Sequence, residues 1–589
     1  MTKDHFNTLV FYKNKYNKSQ RSLADYLNVS FEKANSCLNY CKERNWLDQN
    51  NSLTKAGHDA LRPYKVDNAI IMAAGMSSRF APLSYENPKG LLKVKGEILI
   101  ERQIRQLKEA GINDIIVVVG YMAERFLYLK EKFNIKIVNN SDYYRYNNPS
   151  SLIRVVDNLK NTYVCSSDNY FVENVFEEYV YESYYSAVYI AGKSDEFGMI
   201  TDKNGRITGI NHSPENTYCM LGHVYFSKTF SERFKTLIIK EYEKSSVKER
   251  LWEYFLEDNL DSLEIYIRKY DTDKVLEFDS LEDLRNFDDK YIQNTGSTIL
   301  KNICKVLNCS EADITNIEVM SQGLTNQSFS FIVRDKKYIY RHPGTGTEQY
   351  ISRKSEAFST GVAKELGLDT TVIYISEDEG WKISSFFENN HTLDYHNQDE
   401  VKKALKLVKR LHDAQIVSDF NFDIWKVTNA ILDKLNPDSI DFSDFDELRS
   451  SITRLYQLTE KDNEPKVLCH CDCYNPNFLF NSDGDVTLID WEYSGNDDPG
   501  TDVGTFICCS DYTFDEAIKI INLYYGREPT TKELRHKLAY IAITSYCWFI
   551  WAIHQESVGV IVGEYKLLWH DNAKLYMEKA FELYEEENN

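Results

Sequence analysis

Residues 68–92 read NAIIMAAGMSSRFAPLSYENPKGLL, an apolar run that ends in Ala73, Ala74, Gly75 and two serines, with Arg79 directly after and Lys89 just past Pro88. Side chains this small let backbone N–H groups approach a polyphosphate, and Arg79 and Lys89 add the positive charge that balances it. An ordinary strand and turn would account for the glycine, but it offers no packing reason for two cations so placed. Further on, the apolar segment 163–165 leads through two serines to Asp168. An acid at the carboxyl end of a strand lies where open α/β sheets hold ligands, and it is a natural first ligand for Mg²⁺.

A second set of reactive residues lies in the other half. Arg341 closes the strand-like run 337–341, and Glu356 falls on a predicted helix over 353–365. A strand cation opposite a helix glutamate is how kinases hold ATP phosphates. Ser321–Phe329 is expected to turn between two strands. His470, Asp472 and Asn477 follow as H-x-D-x-x-x-x-N, with Asp490 in the next apolar run. A spacing of five lets one loop present the side chains of both Asp472 and Asn477 to the same site. Trp548 and Trp551 are three apart on a predicted helix and share a face, as core or as a cation–π site. In the run Cys469-His470-Cys471-Asp472-Cys473, successive side chains of an extended segment point to opposite faces, which argues against a tetrahedral zinc site.

Residues 68–290 resemble the sugar-phosphate type nucleotidyltransferases, and among them the bacterial CTP:phosphocholine cytidylyltransferases, through AAGxxSRF followed by PKGLL. The resemblance implies that Arg79 and Lys89 grip the triphosphate, that Ala73, Ala74 and Gly75 line the nucleotide, and that Asp168 binds Mg²⁺. It also implies that Glu277 and Asp279, in a strand where alternation puts them on one face, complete the metal site; a solvated strand end is the alternative. For the aromatic phosphocholine pocket, the nominees are Tyr143, Tyr144 and Tyr146, a cluster that packing alone would also explain.

The H-x-D-x-x-x-x-N block followed by IDWEY resembles the aminoglycoside phosphotransferase and choline/ethanolamine kinase group. Arg341 stands where protein kinases have lysine, as it does in choline kinases. Carried over, Arg341 and Glu356 bind nucleotide, Asp472 takes the proton from the substrate hydroxyl, His470 orients the loop, and Asn477 and Asp490 bind Mg²⁺. Trp548 and Trp551 would form the aromatic box for a quaternary ammonium, with Tyr565 and Trp569 beside them and Glu492 or Asp502 adding a carboxylate.

A chain of 589 residues exceeds one core. The fold expected is multidomain: a mainly α winged helix over 1–65, an α/β Rossmann-like nucleotidyltransferase with a mixed sheet over 66–290, and an α+β bilobal kinase-like part over 291–589, joined by a polar hinge at 291–298. Apolar and charged contents of 42% and 27% are globular values. A net charge of −21 argues against a chain that coats nucleic acid or anionic membrane along its length. The first 65 residues differ, with eleven Lys or Arg against six Asp or Glu, so the other 524 carry −26. There, helices at 22–27 and 31–44 and a β-wing at 46–57 resemble small bacterial regulators. Lys33, Asn35, Ser36 and Asn39 would face DNA; a platform or self-association role is weighed equally. The twelve cysteines lack paired short spacings and suit free thiols. With no apolar run long enough for a signal peptide or span, the expected place is the cytoplasm, without membrane insertion.

These readings join as two consecutive steps, with choline, phosphocholine, ATP and CTP as substrates and Mg²⁺ as cofactor, making CDP-choline for decoration of surface glycans or lipids. Ethanolamine, or another small amino alcohol or phosphonate, is the alternative acceptor. A transcriptional regulator that senses choline or CTP is the alternative class.

Overall fold

The computed structural model describes residues 1–14, 19–320, 326–344, 352–435, 440–557, 560 and 562–586. Two units follow from it, Met1–Cys304 and Lys305–Asn589, the division falling inside helix Thr298–Leu307. The expected turn residues Ser321 to Thr325 lie outside the described residues.

The first unit opens with helices Lys3–Asn14, Gln20–Leu27 and Phe31–Glu43. Ser19 and Ser30 each accept a backbone N–H three residues on, caps worth about 1 kcal/mol apiece. Leu9, Leu23, Ala34, Leu38, Cys41 and Leu61 form the core of this part. The wing is smaller than expected. It is a single bridge, Leu47 to Leu53, because the Thr54 hydroxyl accepts the Gly57 N–H at 3.1 Å and starts helix Lys55–Leu61.

The body of this unit is a mixed sheet. Strands Asn68–Ala73, Ile115–Val119, Lys136–Asn139 and Thr162–Ser166 run parallel, with Asn68–Ala73 between Ile115–Val119 and Thr162–Ser166. The unbroken apolar run of Ile115–Val119 is buried at every residue, as a strand covered on both faces must be. The long strand Glu215–Phe226 pairs antiparallel with Thr162–Ser166 and with Tyr184–Lys193, and Tyr266–Tyr270 is parallel to the latter. Helix Leu99–Glu109 buries Leu99, Ile100, Ile104 and Leu107, the apolar face its periodicity predicts.

In the second unit, strands Thr315–Val319, Asn326–Val333, Lys336–Pro343, Lys382–Ser385 and Val372–Ile375 form an antiparallel sheet beside helix Arg353–Glu365. A helical part follows, dominated by Thr531–Ser557 and Tyr565–Glu586, with short strands Val467–Cys469, Phe478–Phe480, Val486–Leu488 and Gly495–Asp497 between. Their common core includes Trp491, Phe506, Ile541 and Ile550. Among the described residues, no helix is long and apolar enough to cross a membrane.

Candidate active sites

In the first unit, Asp168 stands in the turn between strand Thr162–Ser166 and strand Asn169–Phe171. Buried Gln103 holds that turn from behind, donating to the carbonyls of Ser166 and Asn169 at 2.9 and 2.8 Å. Asn169–Phe171 pairs antiparallel with Val275–Glu277, which sets Asn169 opposite Glu277. The Asn169 amide donates to Glu277 Oε2 at 3.0 Å. Asp279 is not on that strand, contrary to the alternation expected. The strand stops at Glu277, and the Asp279 N–H donates to Asp283 Oδ2 at 3.0 Å, where Ser280 and Asp283 cap the next helix. Both acids still face one cavity of about 270 Å³, with Ser77, Ser78, Arg79, Lys89 and Asp168 in its lining.

Lys89 is 6% exposed, and its Nζ lies 3.0 Å from Asp168 Oδ2 and 3.4 Å from Asp279 Oδ1. Gly90 permits this approach, since a Cβ there would stand 2.8 Å from Ser167 Cβ. Burial opposes the Lys89 charge, but Asp168, Glu277 and Asp279 outweigh it and raise the ammonium pKa. Asp168 is likewise penalised by burial, yet Lys89 holds its carboxyl below the usual range. Glu277 goes the other way, pushed well up by burial and then by the Asp168 charge. Asp168 Oδ1 is buried with no donor among the described residues, an oxygen that a cation would satisfy. Arg79 is exposed on the cavity rim, Ala73 and Ala74 are buried, and Gly75 has no heavy atom within 4 Å of an added Cβ.

The nominated tyrosines are not part of the cavity wall. Tyr143 packs beside Gly120, Tyr144 is exposed, and the Tyr146 ring is covered by Lys248 at 5.2 Å. Sequence reasoning missed a different group. Glu196 lies in the field of Asp279, Arg79, Lys89 and Asp168, with its carboxyl pKa raised by burial and then by Asp279. Tyr185 lies in the field of Glu253, Glu277 and Glu196, and its hydroxyl donates to Glu253 Oε1 at 3.0 Å. Trp252 stacks on Tyr185 at an interplanar angle of 3°. Glu253 is 8% exposed, its Oε2 meets no donor among the described residues, and burial pushes its carboxyl up to about 7. These residues come from three separate segments, so no local spacing signals them.

In the second unit, Asn477 fixes Asp472, donating to its Oδ2 and its carbonyl at 2.9 Å each. The Asp472 N–H donates to His470 Nδ1 at 3.2 Å, so the ring proton sits on Nε2 and reaches Ile489 O at 2.9 Å. Burial lowers the His470 pKa, which keeps the ring neutral in this role. Cys471 and Asp490 have φ of 67° and 69°, in the left-handed region that is uncommon for non-glycine residues. Burial and then the Asp490 charge push the Asp472 carboxyl well up. Arg341, buried on strand Lys336–Pro343, pairs with Glu356 and reaches Asp490 Oδ1 at 3.6 Å and Glu492 Oε2 at 3.8 Å.

Two expected acceptor ligands are corrected. Asp502 is fully buried; its oxygens take the His470 and Cys471 N–H groups at 2.9 and 2.6 Å and His412 Nε2 at 2.9 Å. It holds the loop's backbone and is shut off from solvent. Glu492 accepts from Asn326 at 2.8 Å and lies 3.8 Å from Arg341, which groups it with that cation. The tryptophans do assemble. Trp548 meets Trp551 at 5.9 Å and Trp569 at 6.2 Å, and Tyr565 meets Trp569 at 5.5 Å.

Residues 317–536 match the family Choline/ethanolamine kinase, residues 69–234 the MobA-like NTP transferase domain, and residues 7–77 the family wHTH-PRTase associated. The choline-phosphate cytidylyltransferase of Streptococcus pneumoniae is 34% identical over 221 residues, 38% of this chain and 96% of the relative. The 2-aminoethylphosphonate cytidylyltransferase of Lancefieldella rimae is 33% identical over 229 residues, 38% of this chain and 93% of the relative. Protein LicA of Haemophilus influenzae is 25% identical over 274 residues, 45% of this chain and 99% of the relative. The chain therefore belongs to the nucleotidyltransferase family that contains the choline-phosphate cytidylyltransferases, and outside that part its residues 317–536 are similar to the choline/ethanolamine kinases.

Proposed function

We propose that the chain converts choline to CDP-choline in two steps, ATP-dependent phosphorylation in residues 291–589 and cytidylyl transfer from CTP in residues 66–290, with residues 1–65 as a third domain. One observation supports this reading: Trp548, Trp551 and Trp569 gather in the kinase part, a grouping of rings that suits a quaternary ammonium. In the transferase part, Tyr185 stacks on Trp252 and donates to Glu253, an aromatic and carboxylate pair that suits a small cation.

In the kinase, Asp472 accepts the hydroxyl proton of choline as its oxygen attacks the γ-phosphorus of ATP. Neutral His470 and Asp502 keep the loop in register, and Arg341, steadied by Glu356, meets the phosphates. In the transferase, the phosphate oxygen of phosphocholine attacks the α-phosphorus of CTP and pyrophosphate leaves. That nucleophile is already an anion and needs no base, so the chain supplies alignment and charge through Lys89 and Arg79. The carboxylate groupings Asp168, Glu277 and Asp279, and Asp490 with Asn477, have the oxygen ligands that suit Mg²⁺. Mg²⁺ bound there would neutralise phosphate charge. The product would serve transfer of phosphocholine to a glycan or lipid hydroxyl.

Ethanolamine or an aminophosphonate is the second reading, favoured by Glu253, whose open oxygen suits an ammonium N–H, and by the similarity to a 2-aminoethylphosphonate enzyme. The test is parallel turnover of choline and ethanolamine by the full chain with ATP, CTP and Mg²⁺, and of 2-aminoethylphosphonate with CTP, followed by mass spectrometry. CDP-choline should dominate. Arrest at phosphocholine overturns the two-step reading, and faster ethanolamine or aminophosphonate products select the second.

The Glu253 carboxyl also sets a pH dependence. With its pKa near 7, the charged form that attracts ammonium grows as pH rises, so the acceptor KM should fall between about pH 6 and 8. Glu253→Gln should raise that KM about tenfold and flatten its pH profile. The fold feels the opposite sign. A carboxyl that holds its proton longer folded than unfolded costs stability as pH rises from 4.5 to about 7.

A further inference from the structure

The excess positive charge of the first 65 residues has a partner inside the first unit. Lys13 Nζ lies 2.5 Å and Lys65 Nζ 3.5 Å from the Glu178 carboxylate, and Lys3 pairs with Glu182. The backbone joins in: Val66 N–H donates to Glu178 O and Val180 N–H to Tyr64 O, each at 2.9 Å. Tyr64 stacks on Tyr181 at 5.4 Å, with Phe6 against both rings.

The helix expected to read DNA, Phe31–Glu43, has Glu32 and Glu43 against Lys33 and Lys42, a net charge of zero. Lys33 is paired with Asp4 at 3.2 Å, and Phe31 is 47% exposed on the same helix. DNA affinity is carried mainly by cations that meet phosphate, and this helix has no net supply of them.

The gripped residues run straight on from the transferase site. Asp168 is followed by strand Asn169–Phe171, which sets Asn169 against Glu277; Val172 N–H then donates to Lys274 O at 3.0 Å, and Glu178 comes ten residues after Asp168. We propose that the N-terminal winged helix is a brace for the nucleotidyltransferase site, gripping residues 178–182 and through them steadying the strand that holds Asp168 and Glu277 together. This rests on the reading of that cavity as the cytidylyl-transfer site.

The test uses the full chain. Glu178→Lys sets a third cation against Lys13 and Lys65 and should lower cytidylyl transfer about fivefold, the low end of coupling between sites, with kinase turnover unchanged. Adding Lys13→Glu and Lys65→Glu reverses the pairing and should restore it. Hydrogen exchange at 169–171 and 275–277 should quicken in Glu178→Lys and slow again in the triple variant, a readout that judges the brace even in a protein inactive on CTP. Unchanged exchange there, while the Val66 and Val180 amides lose protection, overturns the proposal. So does tight binding of random duplex DNA whose affinity falls steeply between about 50 and 200 mM salt, with cytidylyl transfer indifferent to Glu178→Lys. Loss of cytidylyl transfer in the unaltered chain would count against the reading of the cavity alone.

Discussion

Asp472→Asn is expected to lower choline phosphorylation about 10³-fold, within the range for removal of a positioned base, and to leave conversion of phosphocholine and CTP to CDP-choline unchanged. The substitution keeps the shape of the side chain, and Asn477 can still donate to the remaining amide oxygen. What is lost is the proton acceptor. The surrounding field favours this: burial and Asp490 push the Asp472 carboxyl up, so neutralisation relieves repulsion and the variant should unfold at the same temperature or above. The measurement is phosphocholine formation by mass spectrometry beside cytidylyl transfer on the same preparation. A variant retaining a tenth or more of its kinase rate would remove Asp472 from the role of base.

The second large effect is at Lys89. Lys89→Met should reduce cytidylyl transfer about 10²- to 10³-fold, the loss typical of one preorganised charge at a transition state, with kinase turnover intact. Methionine preserves most of the buried stem and removes the ammonium that lies 5.4 Å from the centre of the Phe80 ring. Alanine is a poorer choice, because a side chain with only 6% exposure leaves a hole as well as a missing charge. Without Lys89, Asp168 loses the partner that holds its carboxyl below the usual range. It becomes easier to protonate, and the acids around it repel one another. Millimolar Mg²⁺ should therefore raise the melting temperature of Lys89→Met more than that of the unaltered chain. Normal pyrophosphate release from CTP and phosphocholine by the variant would remove Lys89 from the reaction.

Both predictions rest on residues that short-range spacing marks, and the reason is geometric. Asp472 and Asn477 share one loop, so five residues of chain fix their separation. Arg341 and Glu356 needed only a strand and the helix after it. The small-residue loop announces itself because Lys89 and Arg79 have no packing use there. Helix Leu99–Glu109 and the apolar strands followed from periodicity in the same way.

Other assignments depended on where distant segments meet. Asp502 reads as one acid among many, and only its bonds to the His470 and Cys471 amides define it as the loop's anchor. Glu492 resembles an acceptor ligand until Asn326 and Arg341 are seen to engage it. Tyr146 is aromatic in sequence but covered by Lys248 in the fold. Glu196, Tyr185 and Glu253 have no motif, because their segments meet only through sheet registry and the packing of helix Trp252–Asp258. The charge of the first 65 residues marks a separate unit, for which DNA and a platform role weigh equally, and only the fold shows the ion pairs to Glu178 and Glu182.

The sequence by itself determined the nature of the two chemistries, since both depend on groups that one loop or one neighbouring pair of elements must present. The tertiary structure alone decided which carboxylates line a cavity and which hold backbone, and which have their pKa raised by burial. Those properties follow from burial and from charges brought close by long-range pairing, and chain spacing encodes neither.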